Sequence, residues 1–208
     1  MSDVISESCV VSSKTKEGNY HFPLYLYYKN GRKKSNIEEK VTKKLSKEYK
    51  TMPTSEEVFY YVYAILYSNK YREKYAEFLK FDFPRIPFTE DYNKFKQLSE
   101  IGKELVDLHL MKTKLKISTK FDVQGSNVVK SVKYKENKVY INKDQFFDGI
   151  SEDVWNFYIG GYQVLNKWLK SRKNRELSSN EIEHFLQVVE IIKKTIEYMK
   201  KIDEIMIF

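Results

Sequence analysis

Cations are the residues of this chain whose types and spacing fit a chemistry. Arg85 stands alone within Phe83-Pro84-Arg85-Ile86-Pro87; Lys130, Lys133, Lys135 and Lys138 punctuate an alternating run; Lys170, Arg172, Lys173 and Arg175 follow a glycine pair, Gly160-Gly161. Lysine ammonium and arginine guanidinium groups pair with phosphate oxygens and hydrogen-bond base edges, arginine in a fixed forked geometry. The formal net charge of +8 points the same way, toward an anionic partner. It is a weak pointer alone, because the five arginines are far outnumbered by lysines and a lysine-rich surface is also simply well solvated.

Catalytic groupings are absent by contrast. His21, His109 and His184 lie too far apart for metal-ligand spacing, and Asp107 and His109, two apart on a helix, face different sides. Cys9 is the single cysteine, so it makes neither an internal disulfide nor a structural zinc site. There is no Walker-type phosphate loop, and the glycine pair does not follow a strand with dinucleotide-binding spacing. Acidic residues do not cluster with a lysine as a nuclease requires. Metal sites and resident cofactors are therefore not expected in this chain. Short, charge-interrupted apolar runs exclude a membrane span. The polar opening and lone cysteine lead us to expect a reducing, cytoplasmic setting.

The elements that must position the cations follow from hydrophobic period. At 41% apolar and 15% aromatic residues, the 208-residue chain has enough material for a buried core. Residues 1–35 read as an extended segment, with His21–Tyr28 as a strand and an Asn30-Gly31 turn after it. Residues 36–112 read as helical. Asn36 is a candidate cap for a helix to about Leu45, and Thr54 with Glu57 forms a capping box. Val58, Tyr61, Val62, Ile65 and Leu66 share one face of the helix that follows. A further helix starts at Ser68 or Asn69, and another at Thr89–Asp91 with the stripe Phe95, Leu98, Ile101, Leu105, Leu108 and Met111. Residues 113–148 change to period two, with strands expected at Lys114–Phe121, Asn127–Tyr134 and Lys138–Asn142 and a hairpin turn at Glu136-Asn137. Residues 149–208 return to helix, ending in a long one from about Leu177 with the stripe Ile182, Phe185, Val189, Ile192, Ile196 and Met199. The fold class is α+β: a helical subdomain, a small antiparallel sheet and a long C-terminal helix.

Each cationic segment admits two readings. The prolines around Arg85 stiffen a crossing between helices, with Phe83 and Ile86 packing on either side, or they present the arginine rigidly to a phosphate. The Gly160-Gly161 pair lets two elements pack closely over a core of Trp155, Tyr158, Tyr162 and Trp168, or its free N–H groups hold a phosphate at a helix start. The Lys133–Lys138 hairpin is a ribbon of major-groove width carrying Lys133, Lys135 and Lys138, or its lysines protect a sheet edge.

A resemblance joins these segments. Glu57–Ser68 (EVFYYVYAILYS), Tyr71–Tyr75 (YREKY), Phe83–Pro87 (FPRIP) and Ile159–Arg172 (IGGYQVLNKWLKSR), in that order, resemble the C-terminal specificity region of type ISP restriction-modification enzymes and related N6-adenine DNA methyltransferases. The likeness spans roughly Ser8 to Asp203. It implies a target-recognition domain at 36–208 that grips double-stranded DNA, with 1–35 leading from a methyltransferase core outside this chain. That core would bind S-adenosylmethionine, and helicase and nuclease parts are further implied partners. The glycine-rich donor loop and the Asn/Asp-Pro-Pro-aromatic motif of such methyltransferases are missing here, and Pro23, Pro53, Pro84 and Pro87 are nowhere adjacent. The cations we expect to contact DNA in such a domain are Arg85, Lys133, Lys135, Lys138, Lys170, Arg172 and Arg175. A module that couples motor and methyltransferase without touching DNA is the alternative, with the Ile182–Met199 stripe as its docking face.

Overall fold

The computed structural model describes residues 23–206. Cys9 and the first two residues of the expected His21–Tyr28 strand lie outside them. Two compact units divide the chain: one runs to Lys112 and resumes at Met199, and the other is Thr113–Tyr198.

The first unit opens with a hairpin, β1 (Tyr25–Tyr27) against β2 (Lys33–Ser35), which Gly31 turns at φ +77°. Helix α1 (Glu39–Tyr49) starts later than expected. Asn36 does not cap it but donates from its amide to the Pro23 carbonyl at 2.9 Å. Helix α2 (Ser55–Tyr67) begins with the expected capping box. Thr54 accepts from the Glu57 N–H at 3.1 Å, and the Glu57 carboxylate accepts from the Thr54 N–H at 2.7 Å. Helix α3 (Asn69–Lys74) starts from Ser68, whose hydroxyl accepts from the Tyr71 N–H. Asp91 caps α4 (Tyr92–His109) by accepting from Asn93 and Lys94.

Helices α2 and α4 make the core of this unit. Tyr61 and Phe95 are fully buried and stack at 5.1 Å, an arrangement that adds about 1 kcal/mol to their area burial. The two backbones meet at Gly102: a methyl group there would lie 1.9 Å from the Tyr60 carbonyl oxygen. Met111 leaves the expected stripe, because α4 ends at His109 and Met111 sits exposed at φ 56°.

The second unit holds a three-stranded antiparallel sheet, β3 (Lys133–Lys135), β4 (Lys138–Tyr140) and β5 (Phe146–Asp148). Glu136 and Asn137 turn β3 into β4, both at positive φ as a two-residue turn matched to strand twist demands. The strand expected at Lys114–Phe121 is not one. It has a single bridge, Lys120 to Asp148, and is instead tethered by Glu190, whose carboxylate accepts from the N–H and hydroxyl groups of Ser118 and Thr119. The third strand comes from Phe146–Asp148, a run too short to show a period. After the sheet come α5 (Glu152–Trp155), a hairpin of β6 (Tyr158–Ile159) and β7 (Tyr162–Gln163), α6 (Val164–Lys170) and α7 (Ser179–Ile205). Val139, Phe147, Ile150, Leu165, Leu169, Phe185 and Val189 are buried together as the core of this unit. Of the α7 stripe, Phe185, Val189 and Ile192 are buried in this unit and Met199 in the first, while Ile182 and Ile196 are half-buried.

Candidate nucleic-acid interface

The sheet separates charge from core by its pleat. Side chains alternate between faces, so Tyr134, Val139 and Phe147 point inward while Lys133 and Lys135 face out. The register places Lys135 opposite Lys138 and Lys133 opposite Tyr140, with Asp148 and Phe146 next on β5. Three lysines therefore share one face. Two have their charge partly answered: Lys138 Nζ lies 3.9 Å from Asp148 and 4.5 Å from the centre of the Phe146 ring, and Lys135 lies 3.5 Å from Glu136. Lys133 is exposed and, among the described residues, has no carboxylate partner. It borders an open groove of about 430 Å³ lined also by Ser131, Lys135, Tyr140, Asn142 and Lys143. Lys143 escaped the reading of alternating positions because it follows the strand, in the loop toward β5.

The groove's floor is rigid. The Asn142 amide donates to Val128 O and to Gln145 Oε1, and the buried Gln145 amide donates in turn to Val123 O and Asn127 Oδ1. The inward face is pinned where Tyr134 stacks on Trp155, 5.5 Å between centroids and 5° from parallel.

The cluster after α6 is built differently. Ser178 and Glu181 form a capping box for α7, the serine hydroxyl accepting from the Glu181 N–H and the carboxylate from the Ser178 N–H. The same carboxylate receives Arg175 at 2.6 Å and Arg172 at 3.1 Å. The Arg175 hydrogen bond first, and the Ser178 backbone next, hold the Glu181 carboxyl down to about 2. Arg172 also lies flat on Trp168 at 3.6 Å and donates to the Trp168 carbonyl, so it is a half-buried strut. Arg175 keeps over half its side chain exposed. Lys170 is exposed and has no carboxylate partner among the described residues. Backbone bonds between Val129 and Asn174–Arg175, at 2.8 and 3.0 Å, tie this loop to the chain entering β3.

Arg85 belongs to the first unit. Three tyrosine hydroxyls hold its loop: Tyr71 donates to Arg85 O at 3.0 Å, Tyr61 to Pro87 O at 2.7 Å and Tyr49 to Thr89 O at 2.6 Å. The tyrosine-rich helices are thus the loop's mooring, at about 1 kcal/mol per bond. The guanidinium itself is 82% exposed, 3.6 Å from Asp82 and 5.0 Å from the Phe78 ring. Ile86 is half-buried and Phe83 is largely exposed.

The glycine pair lies neither between closely packed elements nor at a helix start. Gly160 and Gly161 are the tip of the β6–β7 hairpin, Gly160 at φ +57°, with no atom within 4 Å of where a side chain would start. Tyr158 and Tyr162 are exposed, while Trp155 and Trp168 do pack on the core. His109 is half-buried, its Nδ1 2.8 Å from the Tyr63 hydroxyl, and His184 lies beside Trp168. No metal-holding group of side chains occurs among the described residues, and no helix there is long and apolar enough to cross a membrane.

Each unit thus presents exposed cations on a hydrogen-bonded scaffold. Residues 1–201 match the family described as Type ISP C-terminal specificity domain, and the chain belongs to that family. No curated protein matches it. Among solved structures it is similar to the ATP-dependent Type ISP restriction-modification enzyme LlaBIII bound to DNA, at 22% identity and TM-score 0.64 over 86% of this chain and 13% of that one. It is similar to DrdV in the DrdV–DNA complex, at 23% identity and TM-score 0.69 over 89% and 21%. It is also similar to a nuclease-deletion mutant of the Type ISP restriction-modification enzyme LlaGI in complex with a DNA substrate mimic, at 24% identity and TM-score 0.60 over 86% and 14%. At these identities the likeness is one of fold, and the chain spans 13 to 21% of those polypeptides.

Proposed function

We propose that this chain is the target-recognition domain of a restriction-modification enzyme, binding a specific duplex DNA sequence for an adenine-N6 methyltransferase. Membership in the specificity-domain family carries the reading, and the three similar structures named above all hold DNA or a DNA substrate mimic, two of them as Type ISP restriction-modification enzymes. The lysine face of β3 and β4 is the seat: Lys133, Lys135 and Lys138 meet phosphates, and Ser131, Tyr140 and Lys143 reach from the groove toward base edges. Phosphate contacts set register; groove contacts carry sequence. Lys170 and Arg175 add backbone contacts, Arg172 fixes the loop that bears them, and Arg85 contacts DNA from the first unit. Methyl transfer and S-adenosylmethionine belong to a methyltransferase part, with helicase and nuclease parts as further partners, and the whole acts in the cytoplasm.

The coupling alternative rested on the α7 stripe, four of whose six residues, Phe185, Val189, Ile192 and Met199, are buried within the chain itself. The reading is tested by mapping methylated adenines in the source genome with and without this locus. A motif that disappears on deletion supplies the cognate duplex. The full-length protein is expected to bind that duplex at least tenfold tighter than a permuted one at moderate salt, and Lys133→Glu with Lys135→Glu to abolish the preference. Equal affinity of the unaltered protein for both duplexes would end the proposal.

A further inference from the structure

The exposed large hydrophobics of the second unit are gathered on one hairpin, β6–β7, where Tyr158, Ile159 and Tyr162 are 51%, 56% and 61% exposed. The register sets Ile159 directly opposite Tyr162, so the two project from the same face of the ribbon on either side of the glycines. Neither glycine meets an atom within 4 Å of where a side chain would start, so the tip is thin and open there.

Its base, by contrast, is firm. The Gln163 amide donates to Trp155 O at 2.7 Å, Val164 N–H to Phe157 O at 3.1 Å, and the Asn166 amide to Gln163 Oε1 at 2.9 Å. Leu165 and Leu169 then sink α6 into the core. A firm base beneath an apolar tip is a projection built to meet something.

Charge identifies the occupant. Lys167 Nζ sits 5.1 Å over the Tyr162 ring, and Lys170 follows one helical turn on. Trp155, to which the hairpin is bonded, is the ring stacked on Tyr134, and Tyr134 lies between Lys133 and Lys135 on β3. One aromatic joint therefore ties the base of the hairpin to strand β3, whose opposite face carries the lysines. Apolar flat surfaces inside an anionic frame are what a stacked base step between phosphates offers, and side chains of this kind are known to open such steps.

We propose that the β6–β7 hairpin is a wedge: Ile159 and Tyr162 press into a base step of the bound duplex while Lys167 takes a flanking phosphate. The inference rests on the DNA-recognition reading above and adds a distortion of the duplex by a named element.

The test uses the full-length protein and cognate duplexes carrying 2-aminopurine, moved through every position except the methylated adenine. The unaltered protein is expected to raise fluorescence severalfold at one step, where stacking is lost. Ile159→Ser with Tyr162→Ser should abolish that rise at saturating protein and weaken binding about tenfold, with an unchanged melting temperature because the tip is outside the core. Lys133→Gln with Lys135→Gln should weaken binding yet keep the rise at saturation. An undiminished rise in the tip variant overturns the wedge alone, as does a tip variant that binds DNA normally but separates from the rest of its enzyme, which would make the hairpin a protein contact. Failure of the unaltered protein to bind any duplex overturns the underlying reading instead.

Discussion

At the scale of single residues, polar side chains hold the loops, and the half-buried His109 makes stability depend on pH below neutrality. Desolvation lowers the His109 pKa to about 4, with Tyr63 and Tyr67 against the ring and Arg72 over Tyr67. An unfolded histidine titrates near 6.5. Between those values the unfolded chain binds a proton that the folded one refuses, so stability is full above about pH 6.5 and falls as pH drops toward 4. A shift of this size is worth about 3 kcal/mol, of which roughly 2 is lost between pH 7 and 5. Glu57, Glu181 and Glu190, whose carboxyls lie below their ordinary value, weaken the fold only at lower pH, so the windows separate. Replacing His109 with glutamine keeps an acceptor for Tyr63 and removes the titration. Urea midpoints of the two proteins should diverge between pH 7 and 5, with the unaltered chain losing more; parallel curves would show that His109 is not the group responsible.

At the scale of elements, the closest approach in the first unit is where α4 crosses α2. Gly102→Ala puts a carbon 1.9 Å from backbone oxygen, so the helices must part, at a cost of about 3 kcal/mol. For a chain of this length that is a melting temperature lower by roughly 10 °C. Gly31→Ala serves as the control: it meets no atom within 4 Å, although its φ of +77° still adds local strain, so a loss at Gly102 no larger than at Gly31 would show that the helices do not touch there. The same contrast explains what was legible in the sequence. The Thr54–Glu57 capping box and the Glu136-Asn137 turn are written within four residues, and both are present. Gly102 sits inside a helical pattern, where only the partner helix gives it meaning. Lys114–Phe121 alternates like a strand yet finds only the Lys120–Asp148 bridge, since Glu190 from α7 takes the Ser118 and Thr119 N–H groups. The lysine face was legible because alternation and turn are local. The capture of Arg172 and Arg175 by Glu181 was not, because it depends on how the chain folds back between α6 and α7. Tyr158 and Tyr162 looked like core by residue type, and the two-residue strands of their hairpin carry them out to solvent instead.

At the scale of the whole molecule, a net charge of +8 and a local lysine face make different demands on DNA binding. A diffuse positive field speeds encounter with any polyanion and is largely screened at physiological salt. Cations seated on phosphates release counterions one by one, and each takes about 0.9 from the slope of log affinity against log salt. Lys133→Gln, Lys135→Gln and Lys138→Gln together should therefore flatten that slope by about 2 to 3. Lys44→Gln, Lys47→Gln and Lys50→Gln remove the same charge from exposed positions along α1 and its C-terminal end. If binding is set by where the charge sits, this second triple leaves the slope unchanged and only slows association at low salt. Equal flattening by both triples would mean that duplex DNA responds to the overall charge of the chain, and the face of β3 and β4 would lose its claim to be the seat.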